Sequence, residues 1–87
     1  MVRKVTGFIS PSGSTVIPAI LALESLGFQV TFDAESGECQ AARADEAYSA
    51  EDPVWVLGLV KLAEVRGRDW TVADGEIEAT LRRFGWV

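Results

Sequence analysis

Seven carboxylates fall within residues 33–52: Asp33, Glu35, Glu38, Asp45, Glu46, Glu51 and Asp52, with Arg43 the one base among them. Three chemistries use carboxylates at this density. General acid–base catalysis needs two groups in different environments, so that one ionises well before the other. The paired acids of the chain, Asp45-Glu46, Glu51-Asp52 and Asp74 with Glu76, stand instead in turns and in the first turns of helices, where capping and the helix dipole already account for them. Calcium binding needs an alternating run of ligands closed by a glycine, and no D-x-[DN]-x-[DN]-G spacing occurs. The third use is purely electrostatic. The net charge is −5, and this middle stretch alone carries −6. A localised negative field of this kind steers a basic partner by long-range attraction.

A second candidate is the run Ser10-Pro11-Ser12-Gly13-Ser14-Thr15, placed between a strand-like and a helix-like segment. Backbone N–H groups at a helix N-terminus hold phosphate or carboxylate groups, so Ser12, Gly13, Ser14 and Thr15 are the residues that would form an anion site. The spacing is not that of a Walker loop and no lysine follows the glycine. A turn followed by an N-cap is the simpler reading.

Nucleophilic chemistry is poorly supplied. The chain has no histidine and a single cysteine, Cys39, so neither a serine nor the thiol has the base that would activate it. Zinc patterns built from paired Cys or His cannot be written, nor can a disulfide framework. The sequence therefore nominates no catalytic residue, no metal ligand and no cofactor, and reads as a binding protein rather than an enzyme. Tryptophan is enriched at binding hot spots. Trp55 lies on a nearly all-apolar helix and reads as core, while Trp86 has a place in a helix C-terminal motif. Trp70, set among Arg66, Arg68 and Asp69, is either a lid over the core or an exposed anchor, and it joins the seven acids as a candidate partner-binding residue.

The elements that must carry these groups follow from period and punctuation. Residues 2–9 are β-branched and aromatic, bounded by Ser-Pro-Ser-Gly, and read as a strand with Gly7 at a bulge. Thr15 opens a helix as N-cap. Pro18 then falls in its first turn, where a missing N–H is tolerated, and Gly27 ends it. Residues 28–33 alternate apolar and polar, as a half-buried strand does. Glu35-Ser36-Gly37 forms a hairpin turn and 38–43 is the return strand. Two registers compete. Pairing Ala34 with Glu38 turns Cys39 to solvent; a longer loop sets Cys39 beside Phe32 but opposes Asp33 to Glu38, a like-charge pair. The first is preferred. Residues 45–49 read as a polar connection. Asp52-Pro53 starts the longest helix, apolar nearly all round and interrupted only at Gly58, Lys61 and Glu64, so it should be covered by other elements. Gly67 stops it. A last helix, capped by Asp74, buries Ile77, Leu81 and Phe84, pairs Glu78 with Arg82, and closes with Gly85 at C′ and Trp86 at C″.

The order is β-α-β-β-α-α: an α+β fold with a small, mostly antiparallel three-stranded sheet packed against helices. Eighty-seven residues make one domain, 1–87. A hydrophobic fraction of 48% is ample for a core and argues against disorder. The apolar runs 16–23 and 54–60 are too short to cross a membrane, no leader pattern is visible, and the unpaired cysteine fits a reducing, cytoplasmic compartment. The acidic field would repel a phosphate backbone, against direct nucleic-acid binding. The reading that results is a small intracellular protein-interaction module, such as an adaptor, an immunity-type protein or another small inhibitor, whose acidic surface meets a basic partner. A small-ligand or anion-binding domain and a homodimer are the alternatives.

Overall fold

The structure is a computed structural model that describes Ile9 and residues 12–86; of the strand expected at 2–9, residues 2–8 lie outside the described residues and Ile9 is in no strand. A single 3₁₀ turn, Gly13–Thr15, leads into α1 (Val16–Ser25). Then come β1 (Gln29–Phe32), β2 (Cys39–Arg43), β3 (Glu46–Ala50), α2 (Pro53–Arg66) and α3 (Asp74–Arg83). The three strands form one antiparallel sheet in the order β1-β2-β3, and α1 and α2 pack side by side against it. The α+β class with a small antiparallel three-stranded sheet is therefore as expected.

The third described strand is a correction. Residues 46–50 pair with β2 from Arg43↔Glu46 to Cys39↔Ala50, where a polar connection was expected. The hairpin has a two-residue turn, Ala44-Asp45, with Ala44 at φ 51°. Such turns normally announce themselves with Asn-Gly or Gly at the positive-φ position, and Glu-Ala-Tyr-Ser-Ala is a weak strand former. What holds β3 is tertiary: Ala50 is buried in the core and Tyr48 packs against it.

The hairpin register is the second correction. Phe32 pairs with Cys39, and the Asp33 N–H donates to the Glu38 carbonyl at 2.9 Å, so the longer loop is the real one. The like-charge objection fails because the Asp33 carboxylate turns into the loop. There its Oδ1 accepts the N–H groups of Glu35 at 2.8 Å and Ser36 at 2.9 Å. Two amide donors stabilise the charged form, with Ser36 contributing most, and hold Asp33 below the ordinary aspartate range. Cys39 is consequently on the core face and fully buried. Burial pushes its thiol up, and the nearby Asp52 charge adds to the effect, as befits a packing residue rather than a nucleophile.

The core is Leu23 from α1, Phe28, Cys39, Ala41 and Ala50 from the sheet region, and Val56 and Val60 from α2. Arg43 ties its open end. Its guanidinium lies 4.2 Å from the centre of the Phe28 ring and donates at 2.6 Å to the Leu26 carbonyl at the end of α1. It also pairs with Glu46 Oε2 at 3.0 Å. Phe28 in turn meets Tyr48 edge-on at 5.8 Å, and the Tyr48 hydroxyl donates to Glu46 Oε1 at 2.9 Å. Gly27, at φ 93°, lets the chain turn from α1 into β1 beneath this side chain; a Cβ there would lie 3.4 Å from Arg43 Cδ.

The helices keep their expected ends but not their expected cover. Asp52 caps α2, its Oδ1 accepting the Trp55 N–H at 2.9 Å. Only Pro53, Val56 and Val60 of this helix are buried, while Trp55, Leu62 and Val65 are exposed. For α3, Ala73 occupies the N-cap position and Asp74 is the first helical residue; Glu76 reaches back to accept the Ala73 N–H at 3.1 Å. The Glu78–Arg82 pair forms at 2.8 Å. The C-terminal motif is complete: Trp86 N–H donates to Leu81 O at 2.9 Å and Gly85 N–H to Arg82 O at 3.1 Å. The buried stripe is not there. No residue of α3 is buried, and Ile77 and Phe84 stand in solvent. Local signals suffice to form and end this helix, but they do not supply a surface for it to dock on.

Candidate interaction surface

The sheet register divides the seven acids into two groups. β3 runs antiparallel to β2, so the β1–β2 turn and the β3–α2 junction come together at one end of the sheet. Asp33, Glu35, Glu38, Glu51 and Asp52 gather there. Asp45 and Glu46 lie at the opposite end, at the β2–β3 turn, with Arg43 and Arg68.

The second group is neutralised. Asp45 pairs with Arg68 at 2.5 Å and Glu46 with Arg43. The Arg68 hydrogen bond holds Asp45 below the usual carboxylate range. The Tyr48 hydroxyl and then Arg43 do the same for Glu46. Trp70 belongs to this end: it shares a shallow hollow with Asp45, Glu46, Tyr48, Ala63 and Arg68. It is half exposed and therefore not a lid. Arg66 fixes its position, donating to the Trp70 and Thr71 carbonyls at 3.0 and 3.1 Å.

At the first end the acids meet no ion-pair partner among the described residues. Asp33 and Asp52 are engaged as turn and helix caps, which fixes their carboxylates in place. Glu35, Glu38 and Glu51 make no side-chain contact of that kind. Glu38 and Glu51 line a surface hollow together with Ala50, Leu59 and Trp55. Trp55 is 56% exposed, and its indole is the feature the sequence did not disclose. A tryptophan on an apolar helix reads as core. Its position in the first turn, two residues after Pro53 and close behind Glu51-Asp52, sets it in the hollow with Glu38 and Glu51 instead. That adjacency was the available signal. Phe32, paired with Cys39 at the same end, is also half exposed.

The serine-rich loop sits beside this surface. Ser12, Gly13, Thr15 and Val16 line one hollow with Asp52, Val54 and Trp55. The loop's polar groups are largely turned on one another. Thr15 Oγ1 donates to the Ser12 carbonyl at 2.7 Å, the Ser12 N–H donates to Thr15 Oγ1 at 3.3 Å, and the Ser12 and Ser14 hydroxyls share a hydrogen bond at 2.7 Å. The Asp52 carboxylate on the same wall opposes an anion there and favours a cation.

Among the described residues no cluster of three or more His, Cys, Asp or Glu side chains is arranged to hold a metal ion, and no helix is long and apolar enough to cross a membrane. No protein-family model, curated protein or solved structure matches the chain.

Proposed function

We propose that the protein is a small interaction module, an adaptor or inhibitor rather than an enzyme, and that it receives a lysine- or arginine-rich surface of another protein at the acidic end of its sheet. One observation carries this reading: five carboxylates share one end of the sheet, three of them (Glu38, Glu51 and Asp52) beside an exposed tryptophan, with no cation paired to the five among the described residues. Acidic side chains give the approach its direction and rate. An indole face beside them adds attraction for a guanidinium or ammonium group and the apolar anchor on which binding energy concentrates. Two of the five acids are held by caps, so part of the negative field is pre-organised rather than carried on free side chains. Chemistry within the chain offers little to compete with this reading, since there is no histidine and the thiol is buried.

The test is capture of partners from a cytoplasmic lysate by the full chain and by a Glu35→Lys/Glu38→Lys/Glu51→Lys variant. These three acids cap nothing, so the fold is expected to survive their reversal. Basic proteins retained by the natural chain should be lost by the variant and by Trp55→Ala, and kept by Asp45→Asn at the neutralised end. Equal recovery by the triple variant refutes the assignment of the surface.

A further inference from the structure

β3 is an edge strand of the sheet, and its outer side opens onto a groove. In an antiparallel ladder the residues that turn their main chain to a given neighbour alternate along the strand. The Asp33 N–H bond to the Glu38 carbonyl sets the phase. Glu38, Gln40 and Ala42 turn their main chain to β1, so Cys39, Ala41 and Arg43 turn theirs to Ala50, Tyr48 and Glu46. The N–H and C=O groups of Ala47 and Ser49 therefore point away from the sheet. Among the described residues no main-chain group meets them. Edge strands are ordinarily protected by lysine, proline or a bulge. β3, Glu-Ala-Tyr-Ser-Ala, has none of these over an unbroken register.

The groove lies between that edge and α2. Trp55, Leu59 and Ala63 recur at i, i+4 and i+8 and so share one side of the helix. Trp55 and Leu59 line a hollow of about 310 Å³ with Ser49 and Ala50. Ala63 lines one of about 530 Å³ with Ala47, Tyr48 and Trp70. An indole thus stands at each end, Trp55 at 56% and Trp70 at 53% exposure. The two ends differ in charge. Glu38 and Glu51 line the Trp55 end with no ion-pair partner among the described residues, whereas at the Trp70 end Asp45 is already paired with Arg68.

We infer that the basic partner is held as an extended segment that joins the sheet as a strand beside β3. The inference rests on the acidic-surface reading for the partner's charge and adds the form in which the partner binds. Outward-facing donors and acceptors on an edge are matched by another extended backbone, and hollows beside the edge select alternate side chains. Those on the helix side of the added strand lie over Leu59 and Ala63, between the two indoles. Lysine or arginine belongs at the Trp55 end, beside Glu38 and Glu51. A second copy of the chain is a poor occupant. Two β3 strands paired antiparallel about Tyr48 set Glu51 of each against Asp45 of the other, and each chain carries a net charge of −5. Like charges opposed across strands weaken the pairing.

The probe is the synthetic peptide acetyl-Lys-Val-Arg-Val-Lys-Val-Thr-amide, titrated into the full chain and followed in its amide NMR spectrum. In the free protein the Ala47 and Ser49 amides should exchange rapidly with solvent, and bound peptide should slow them at least tenfold. Two further peptides carry N-methyl groups, one on the valines and one on the basic residues. One of these should bind at least tenfold more weakly, because one set of nitrogens must face β3. Ser49→Pro removes an edge donor at a position where proline is tolerated and should weaken the parent peptide equally, with circular dichroism unchanged. If both methylated peptides bind as the parent does while the Glu35→Lys/Glu38→Lys/Glu51→Lys variant loses it, the acidic surface stands and the added strand is overturned. If that triple variant binds the parent undiminished, the charge reading falls and this inference with it. Ala47 and Ser49 amides already protected in the free chain overturn it too, since the edge is then covered by the chain itself or by a second copy. So does a parent peptide that shifts no β3 amide at millimolar concentration.

Discussion

Replacing Arg43 by alanine should loosen the whole molecule, although its side chain is 39% exposed and its charge pairs with a surface glutamate. The guanidinium does three things at once. Over the buried Phe28 ring at 4.2 Å it makes a cation–π contact worth about 1 kcal/mol in a partly desolvated setting. Its 2.6 Å bond to the Leu26 carbonyl satisfies an orphan acceptor at the end of α1 with a charged donor, which contributes about 1.5 kcal/mol. The pair with Glu46 adds little at a solvent-screened surface. Loss of the first two lowers stability by about 2 kcal/mol once the exposed position is allowed for. For a domain of this size that is roughly 8–16 °C in Tm. Urea unfolding of the natural chain, Arg43→Ala, Phe28→Leu and the double variant closes a cycle that isolates the ring contact. A coupling of about 1 kcal/mol is expected, with Arg43→Lys intermediate because a lysine lacks the planar fork. If Arg43→Ala costs less than about 0.5 kcal/mol, the value of an ordinary surface position, this side chain does not tie helix to sheet and the reasoning fails.

On α2, Val56→Ala should cost about 2 kcal/mol by leaving a cavity in the core, while Trp55→Ala one position earlier should move the urea midpoint hardly at all; equal losses would mean that the indole is packed rather than presented. Ala44→Gly should raise stability by about 0.5–1 kcal/mol, since a left-handed alanine carries a steric cost that glycine escapes, and Ala44→Val should lower it; the reverse order in thermal melts would rule out the positive-φ turn. The buried Cys39 thiol ionises less readily folded than unfolded, so the folded state binds more protons above the unfolded pKa and stability falls as pH rises past about 8.5, by up to 1.4 kcal/mol per pH unit. Cys39→Ala should flatten that slope between pH 8.5 and 9.5, and an unchanged slope would assign it elsewhere. The depressed carboxyls of Asp33, Asp45 and Glu46 act oppositely: their contribution is complete above the ordinary carboxyl range and is lost as pH falls through their lowered values. Asp33→Asn should therefore make the acid melt of the chain shallower, and a melt as steep as before would contradict the turn geometry.

Local chemistry wrote the ends of every described helix to within a residue. Pro18 in a first turn, Asp52-Pro53 at a start, Gly27, Gly67 and Gly85 at stops, and the Gly85-Trp86 closure each depend on backbone groups only a few residues apart, which is why they could be read from order alone. The excess of negative charge in the middle of the chain was equally plain. Tertiary structure decided the rest. Whether Cys39 faces the core or water turned on one residue of register, and the Asp33 carboxylate settled it by folding into the loop. β3 exists because Tyr48 and Ala50 found a core to pack on, not because Glu-Ala-Tyr-Ser-Ala asks to be extended. The same pairing set five acids at one end of the sheet, three of them beside Trp55, and left two beside arginines distant in sequence or across a turn. An amphipathic pattern states that a helix has an apolar side; it does not state what lies against it, and among the described residues no element packs closely on α3. Period and capping are short-range properties of a chain, whereas burial and charge pairing depend on which distant segments share a surface.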